Sequence, residues 1–128
     1  MSRKRWGDPL ARDPGRRQAR VNDLLRRRIS LVLENRFRDQ FSTLLAVTEV
    51  RTTGDLRHAR VFVSVYGDRE KQETTIHTLQ MQHREIRQML ASEVILKYIP
   101  SLEFILDLSL ERAQRIEELL HGDGFDEP

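Results

Sequence analysis

The sequence of 128 residues contains no cysteine, and only four prolines and six glycines. Without cysteine there is no disulfide, no thiol nucleophile and no thiolate ligand for zinc, and the composition suits a reducing compartment. No run of residues approaches the roughly 20 apolar residues that a membrane-spanning helix needs. The length suits one domain with a single core. We therefore expect a cytoplasmic protein with no membrane association.

The basic residues are mostly arginine and are concentrated at the start of the chain. Of the 22 basic residues, 19 are Arg and three are Lys. The net charge is +7 over residues 1–28, +1 over residues 29–60 and −6 over residues 61–128, although the total is only +2. The planar guanidinium of Arg matches phosphate oxygens well. This distribution favours a polyanionic partner for the first part of the chain.

Apolar spacing divides the chain into a basic arm, a domain and a tail. Residues 1–15 show no apolar periodicity and carry two Pro and two Gly, so we predict a disordered basic arm. From residue 18, apolar residues recur at steps of three and four, which predicts a long amphipathic helix that ends near residues 36–38. Residues 16–120 form the predicted domain, and residues 121–128 form a flexible acidic tail.

Three strands and further helices follow the first helix. Alternating β-branched residues predict strands over residues 44–53 and 60–66, joined by a Gly54-Asp55 turn as an antiparallel hairpin. In the second strand, Val61, Val63 and Val65 share one face. A helix with a possible break near Met81 is predicted over residues 71–97, with Val94 and Ile95 in its apolar pattern.

The end of the domain is predicted as a strand followed by a helix. Pro100 closes the preceding helical region, and residues 102–107 alternate as a third strand. The last helix spans residues 110–120, with four apolar side chains turned inward: Ala113, Ile116, Leu119 and Leu120. The whole is an α+β fold, a three-stranded sheet with helices on one face, and the third strand can pair in parallel with one of the first two.

The sequence contains none of the common catalytic or nucleotide-binding motifs. GxSxG, GxxxxGK[ST], GxGxxG and HExxH are all missing, and the spacing of His77 and His83 places them on different helix faces. Asp107 is the best-placed acid, and the favoured interpretation is that it caps the turn into the last helix. We therefore expect no enzymatic activity, no metal, no cofactor and no small-molecule substrate.

Three clusters of basic residues outside the arm are candidates for RNA binding. They lie in the first helix, at the end of the hairpin, and in the middle helical region. Small domains of alternating helices and strands commonly bind RNA, and phosphate contacts would make such binding sensitive to salt. The candidate residues are Arg20, Arg27, Arg28, Arg57, Arg60, His83, Arg84, Arg87 and Lys97.

Two ordered segments carry a resemblance to a known family. Residues 55–65, DLRHARVFVSV, followed by Gly67-Asp68, form the more specific one, and Pro100-Ser101-Leu102-Glu103-Phe104 with Asp107 forms the second. From about Arg20 to Leu120, the sequence resembles the bacterial ribosome-binding factor A family.

The resemblance implies a type II KH-like domain with the order helix-strand-strand-helix-helix-strand, here followed by a C-terminal helix. It also implies a cytoplasmic assembly factor, important at low temperature. Such a factor binds the small ribosomal subunit late in maturation, contacts its rRNA and assists processing of the rRNA 5′ end.

One position departs from the family pattern. The family usually has Ala-x-Gly at the kink between the two middle helices, where this sequence has Gln82-His83-Arg84. Glycine permits positive φ and close approach of a phosphate to the backbone. Two outcomes stay open: a straighter helix, or a kink at which the side chain of Arg84 contacts phosphate.

A second function remains as an alternative. The acidic last helix, with Glu111, Glu117 and Glu118, would dock a basic protein partner, and the Arg-rich first helix would only coat the domain. In both interpretations we expect a monomer.

Overall fold

The computed structural model describes residues 15–41 and 43–120, and these form four α-helices and three strands. The order helix-strand-strand-helix-helix-strand-helix confirms the predicted α+β fold. A short 3-10 helix, Arg38–Gln40, follows the first helix. The elements are α1 (Arg16–Arg36), β1 (Leu45–Thr52), β2 (His58–Val65), α2 (Arg69–Met81), α3 (His83–Ala91), β3 (Ser101–Leu106) and α4 (Ser109–Glu118).

The sheet is mixed, with β2 at its centre. β1 pairs antiparallel with β2, and β3 pairs parallel with β2 after the helical crossover. The register of β1 shifts between Val47 and Glu49, so that Thr48 is the extra residue of a β-bulge. The predicted hairpin and the predicted parallel pairing are both confirmed.

The core lies between one face of the sheet and three helices. Val61, Val63 and Val65 of β2 are buried, which confirms their predicted common face. Helices α1, α2 and α3 close over this face, and Ile29, Ile86 and other apolar residues on them are completely buried. Full burial of one such side chain contributes about 1.5–3 kcal/mol, so this layer holds the domain together.

Helix α1 is fixed to β1 by polar contacts as well as by its apolar stripe. The Asn22 Oδ1 accepts hydrogen bonds from the backbone N–H and the hydroxyl of Thr52, at 3.2 and 2.6 Å. The Gln18 amide donates to the Thr52 carbonyl at 2.5 Å. Thr52 is buried, and a buried polar group costs about 1–3 kcal/mol when it has no partner. These bonds therefore set the position of α1 along the end of β1.

The second predicted helical region ends earlier than its apolar pattern indicates. We predicted helix to residue 97 with Val94 and Ile95 inward, but α3 ends at Ala91, and Ile95 is 99% exposed. Val94 is buried as expected. The helix must stop early because the chain has to turn back to begin β3 at Ser101, and the side chain of Arg87 holds this turn against α3.

The prediction for the last helix was wrong about its packing. Helix α4 forms where expected, yet none of its residues is buried, and the four side chains predicted to point inward are all exposed. Among the described contacts, the side chain of Gln72 in α2 donates to the Glu111 carboxylate at 2.6 Å. The amphipathic pattern of α4 therefore faces away from the core of its own domain.

The predicted basic arm, apart from Gly15, and the predicted acidic tail lie outside the described residues. No described helix has the length and the apolar character needed to span a membrane.

Candidate nucleic-acid interface

The break between α2 and α3 forms without glycine. Gln82 separates the helices with φ −102° and ψ 17°, a backbone conformation with negative φ that any residue can adopt. Its side-chain amide donates to the Gln40 Oε1 at 2.6 Å, which links the break to the short 3-10 helix that follows α1. His83 and Arg84 lie in the first turn of α3. The middle helical region is therefore interrupted at Gln82 without a glycine.

The candidate arginines of α1 lie on its solvent side, and two of them are near carboxylates. Asp23 contacts Arg27 at 3.1 Å, and it contacts Arg26 at the same distance. The hydrogen bond from Arg26 lowers the pKa of Asp23, with a further contribution from Arg27. Arg28 lies 3.9 Å from Glu93. Exposed pairs of this kind are weak, about 0–1 kcal/mol, so these cations can exchange their partners for phosphates.

Two of the candidate arginines form no ion pair, side-chain hydrogen bond or ring contact within residues 15–41 and 43–120. Arg20 is exposed on α1, and Arg84 is exposed on α3. Phosphate binding by either side chain would break no ion pair of the described domain. Half-buried His83 adds a possible hydrogen-bond donor next to Arg84.

Arg87 has a structural task. Its guanidinium donates to the carbonyl of Ile99, at 2.6 Å from Nη2, and to the carbonyl of Pro100, at 3.1 Å from Nε. These bonds tie α3 to the segment that leads into β3. Removal of the side chain would disturb this segment as well as any bound RNA.

Arg60 lies on the other side of the sheet from the helices. It pairs in register with Glu103 of β3, and its Nε lies 3.3 Å from the Glu103 carboxylate. The side chain of Arg60 is 27% exposed. The structure thus places Arg60 apart from the cations of α1 and α3.

The end of the hairpin brings Arg57 and Lys97 to one aromatic ring. The Arg57 guanidinium lies 4.7 Å from the centre of the Tyr98 ring, and the Lys97 ammonium lies 5.6 Å from it. Both distances allow a cation–π interaction. The carbonyl of Arg57 also accepts a hydrogen bond from the Ser101 N–H at 2.9 Å, which joins the hairpin to the start of β3.

A cavity of about 240 Å³, here called the Tyr98 pocket, lies beside this ring. Its lining comes from α1, the β1–β2 hairpin and the α3–β3 segment, and includes Arg17, Val21, Asp55, Leu56, Lys97 and Tyr98. Sequence reasoning missed Arg17 and Tyr98. The sequence shows Lys97 next to Tyr98, shortly before Pro100. It does not show that the folded hairpin places Arg57 on the Tyr98 ring.

Carboxylates line a different surface. A groove between α2 and the outer edge of β3 contains Glu73 and Glu103, together with His77, Gln80 and apolar side chains. Its carboxylates would repel phosphate. This groove is therefore not part of the candidate RNA-binding surface.

Asp107 has the capping role that we favoured from the sequence. Its Oδ1 accepts from the backbone N–H of Ser109 at 2.8 Å, and its Oδ2 accepts from the Thr48 hydroxyl at 2.5 Å. Partial burial raises the pKa of Asp107, but the hydrogen bonds from Thr48 and Ser109 outweigh burial and lower this pKa below its usual value. In the described part of the chain, no three His, Cys, Asp or Glu residues are grouped to hold a metal ion.

The sequence is similar to proteins of a known family. The family model described as ribosome-binding factor A matches residues 17–120. A protein of that name from Thermomicrobium roseum is 41% identical over 107 residues, covering 84% of this chain and 83% of its own. Another from Opitutus terrae is 38% identical over 104 residues, covering 81% of this chain and 84% of its own.

Solved structures share the fold. The crystal structure of ribosome-binding factor A from Thermus thermophilus superimposes with a TM-score of 0.60 at 23% identity, covering 70% of this chain and 94% of the other. A homology model of the Thermus thermophilus factor, fitted into a cryo-electron microscopy map of a complex with 30S, gives a TM-score of 0.57. It covers 68% of this chain and 91% of the other, also at 23% identity.

Proposed function

This chain belongs to the ribosome-binding factor A family, and from that premise we propose that it binds the small ribosomal subunit through rRNA in the cytoplasm. In this proposal the protein acts late in subunit assembly, without catalysis, and assists processing of the rRNA 5′ end. The related factor from Thermus thermophilus has been fitted into a map of its complex with 30S. The family description names a binding factor and no reaction.

The exposed cations on three elements of the folded domain are the observation that carries the RNA-binding part of the proposal. Exposed cations of α1, the hairpin end and α3 lie apart from the carboxylates of the α2–β3 groove. A surface with cations in several elements can follow a phosphate backbone, and such contacts supply most of the sequence-independent affinity for nucleic acid.

The candidate residues then take different tasks. Arg20, Arg27, Arg28, Arg57, Arg84 and Lys97 would contact phosphates, and His83 would assist beside the helix break. Arg87 would act mainly by holding the segment before β3, and Arg60 would contact RNA from the opposite side of the sheet. The basic arm of residues 1–15 would order on the subunit. By occupying a site that must later change, the protein would hold immature rRNA in one conformation.

Co-sedimentation with purified small subunits over a salt series tests the proposed surface. The variant Arg20→Glu/Arg84→Glu reverses two exposed cations that have no described ion pair, and we expect clearly weaker co-sedimentation at low salt. The control Arg112→Glu/Arg115→Glu changes the net charge equally on exposed α4 and should bind as the wild type does. Equal binding by both variants and the wild type across the series would contradict the proposed surface.

The processing role needs a cellular measurement. In a strain lacking the protein, we expect precursor rRNA with an unprocessed 5′ end to accumulate, most strongly at low temperature, when mapped by primer extension. Wild-type protein should restore processing, and the Arg20→Glu/Arg84→Glu variant should restore it poorly. Normal 5′ ends in the deletion strain would contradict this role. Cleavage of rRNA by the pure protein, in proportion to its amount, would contradict the absence of catalysis.

The exposed side chains of α4 favour a second candidate function, a protein-interaction adaptor. In this proposal Glu111, Glu117 and Glu118 of α4 dock a basic partner, and Ile116 contributes apolar contact. A pulldown repeated after nuclease treatment separates the two candidates. One dominant non-ribosomal protein that survives the nuclease would favour the adaptor, whereas loss of ribosomal components on treatment favours rRNA binding.

A further inference from the structure

The Tyr98 pocket combines three properties that an ordinary solvent-exposed charged surface lacks. It contains an aromatic ring that is 47% exposed, two cations on that ring, and a partly open cavity of about 240 Å³ beside it. Pockets for drug-sized ligands have volumes of roughly 300–1,000 Å³. The smaller pocket here suits one planar ring system.

The backbone at the pocket is held in an unfavourable conformation. Leu56 has φ +61° and is the only non-glycine residue of the described chain with positive φ. This region is rare for a residue with a branched side chain, and such strain persists where the surrounding structure enforces it, often at binding sites.

A hydrogen-bonded turn enforces this conformation. The Leu56 N–H donates to the Thr53 carbonyl at 2.9 Å, and the Asp55 carboxylate accepts from the Thr53 hydroxyl at 2.7 Å and from the Arg57 N–H at 3.1 Å. The turn places Leu56 in the lining of the pocket and leaves Arg57 at the Tyr98 ring.

The charges around the pocket fit a phosphodiester chain. Arg17 and Lys97 line it, Arg57 lies against its aromatic ring, and Asp55 is the one carboxylate among the lining residues. A ligand with a flat apolar ring and negative charges on either side would match both the pocket and its surroundings.

We propose that the Tyr98 pocket binds one unpaired nucleotide of single-stranded RNA, with its base against Tyr98 and its phosphates on Arg17, Arg57 and Lys97. This inference rests on the proposed rRNA binding and specifies the kind of RNA that the pocket recognises. Bases in a duplex are stacked and cannot enter, whereas unpaired bases stack readily on aromatic side chains. The protein would therefore select rRNA segments that have not yet paired.

The experiment is a double-mutant cycle between Tyr98 and the base. Full-length protein is titrated into a labelled single-stranded RNA of ten nucleotides, and binding is followed by fluorescence anisotropy at low salt. A second RNA has the same backbone with abasic residues. Stacking of one base on an aromatic side chain contributes enough to change affinity about tenfold, so we expect wild-type protein to bind the abasic strand about tenfold more weakly.

Three variants complete the cycle. Tyr98→Leu keeps an apolar side chain without the ring, and it should bind the intact strand about tenfold more weakly while losing its preference over the abasic strand. Tyr98→Phe should keep the preference. Tyr66→Leu is the matched control, since Tyr66 is 77% exposed and lies outside the pocket lining, and it should bind as the wild type does. Urea unfolding checks that each variant is folded.

The possible outcomes distinguish failure of the pocket inference from failure of the proposed RNA binding. If wild-type protein binds neither strand and does not co-sediment with small subunits, the proposed function fails. If it binds both strands equally and polyglutamate displaces both equally, the site is a general anion site and the pocket inference is wrong. Retention of the full base preference by Tyr98→Leu would also overturn the inference.

Discussion

Single side chains of the same type have different tasks in this domain, as Arg84 and Arg87 illustrate. Both were candidate phosphate ligands because both follow the break in the middle helical region. Arg84 is exposed, whereas Arg87 donates to two backbone carbonyls of the segment before β3. Sequence spacing does not distinguish them, because the carbonyls that engage Arg87 are brought to it only when the chain turns back.

We predict that Arg87→Ala lowers the free energy of unfolding by about 1.5–3 kcal/mol, the range for hydrogen bonds to a charged group. Arg84→Ala is the matched control and should stay within about 0.5 kcal/mol of wild type, as exposed substitutions usually do. Urea denaturation followed by circular dichroism measures both. Equal stability of the two variants would show that the bonds of Arg87 contribute nothing.

Asp107 gives a prediction that depends on pH. Its folded-state pKa is lowered, so the ionised carboxylate stabilises the domain above the unfolded pKa of about 3.9, and this stabilisation is lost as the pH falls through the folded pKa. Asp107→Asn should therefore be less stable than wild type by about 1 kcal/mol at pH 7, allowing for solvent screening.

The difference between wild type and Asp107→Asn should shrink as the pH falls below about 4. Thr48→Val removes one of the two hydrogen bonds of the carboxylate and should reproduce part of the effect at pH 7. Urea midpoints between pH 2.5 and pH 7 provide the measurement. A difference that does not change with pH would show that the charge of Asp107 is irrelevant to stability.

At the scale of helices and strands, the elements that pack against the core were predicted most accurately from the sequence. α1 carries a long apolar stripe and β2 alternates between two faces, and both formed close to their predicted bounds. α3 and α4 were harder for different reasons. The apolar pattern of α3 continued to Ile95 although chain reversal ended the helix at Ala91. The pattern of α4 indicated a face packed on the core, but none of its residues is buried.

The exposure of α4 predicts an unusual tolerance of polar substitutions. Ile116→Ser and Leu119→Ser should each change the free energy of unfolding by less than about 0.5 kcal/mol, as expected for exposed positions. Leu90 of α3 is completely buried, so Leu90→Ala should lower the free energy of unfolding by about 2–5 kcal/mol. Thermal or urea unfolding compares them, and a loss above 1 kcal/mol in either serine variant would mean that α4 packs on the domain in solution.

At the scale of the whole molecule, the small net charge of +2 conceals an uneven distribution of charge along the chain. This gradient from basic to acidic residues is visible in the sequence. It did not indicate that Lys97, late in the chain, would meet Arg17 of the first helix at one pocket. That juxtaposition arises because β3 runs parallel to β2, which returns the segment before β3 to the hairpin end of the sheet.

We predict that RNA affinity falls steeply with salt, because phosphate contacts release counterions. A plot of the logarithm of the association constant against the logarithm of salt concentration should be linear for single-stranded RNA. Its slope should become shallower by about 0.7 for each phosphate contact removed. Arg20→Ala should reduce the slope by about this amount, and Arg115→Ala on α4 should leave it unchanged. A wild-type slope near zero would contradict phosphate binding.

The outer edge of β3 has a consequence for self-association. The Phe104 N–H donates to the Gln80 side chain at 2.8 Å, and the Gln80 amide donates to the Leu102 carbonyl at 3.4 Å. These are two of the backbone groups that a strand from another molecule would use to extend the sheet. One glutamine from α2 thus occupies the place of a fourth strand, and it shields this edge from intermolecular β-pairing and from the aggregation that such pairing begins.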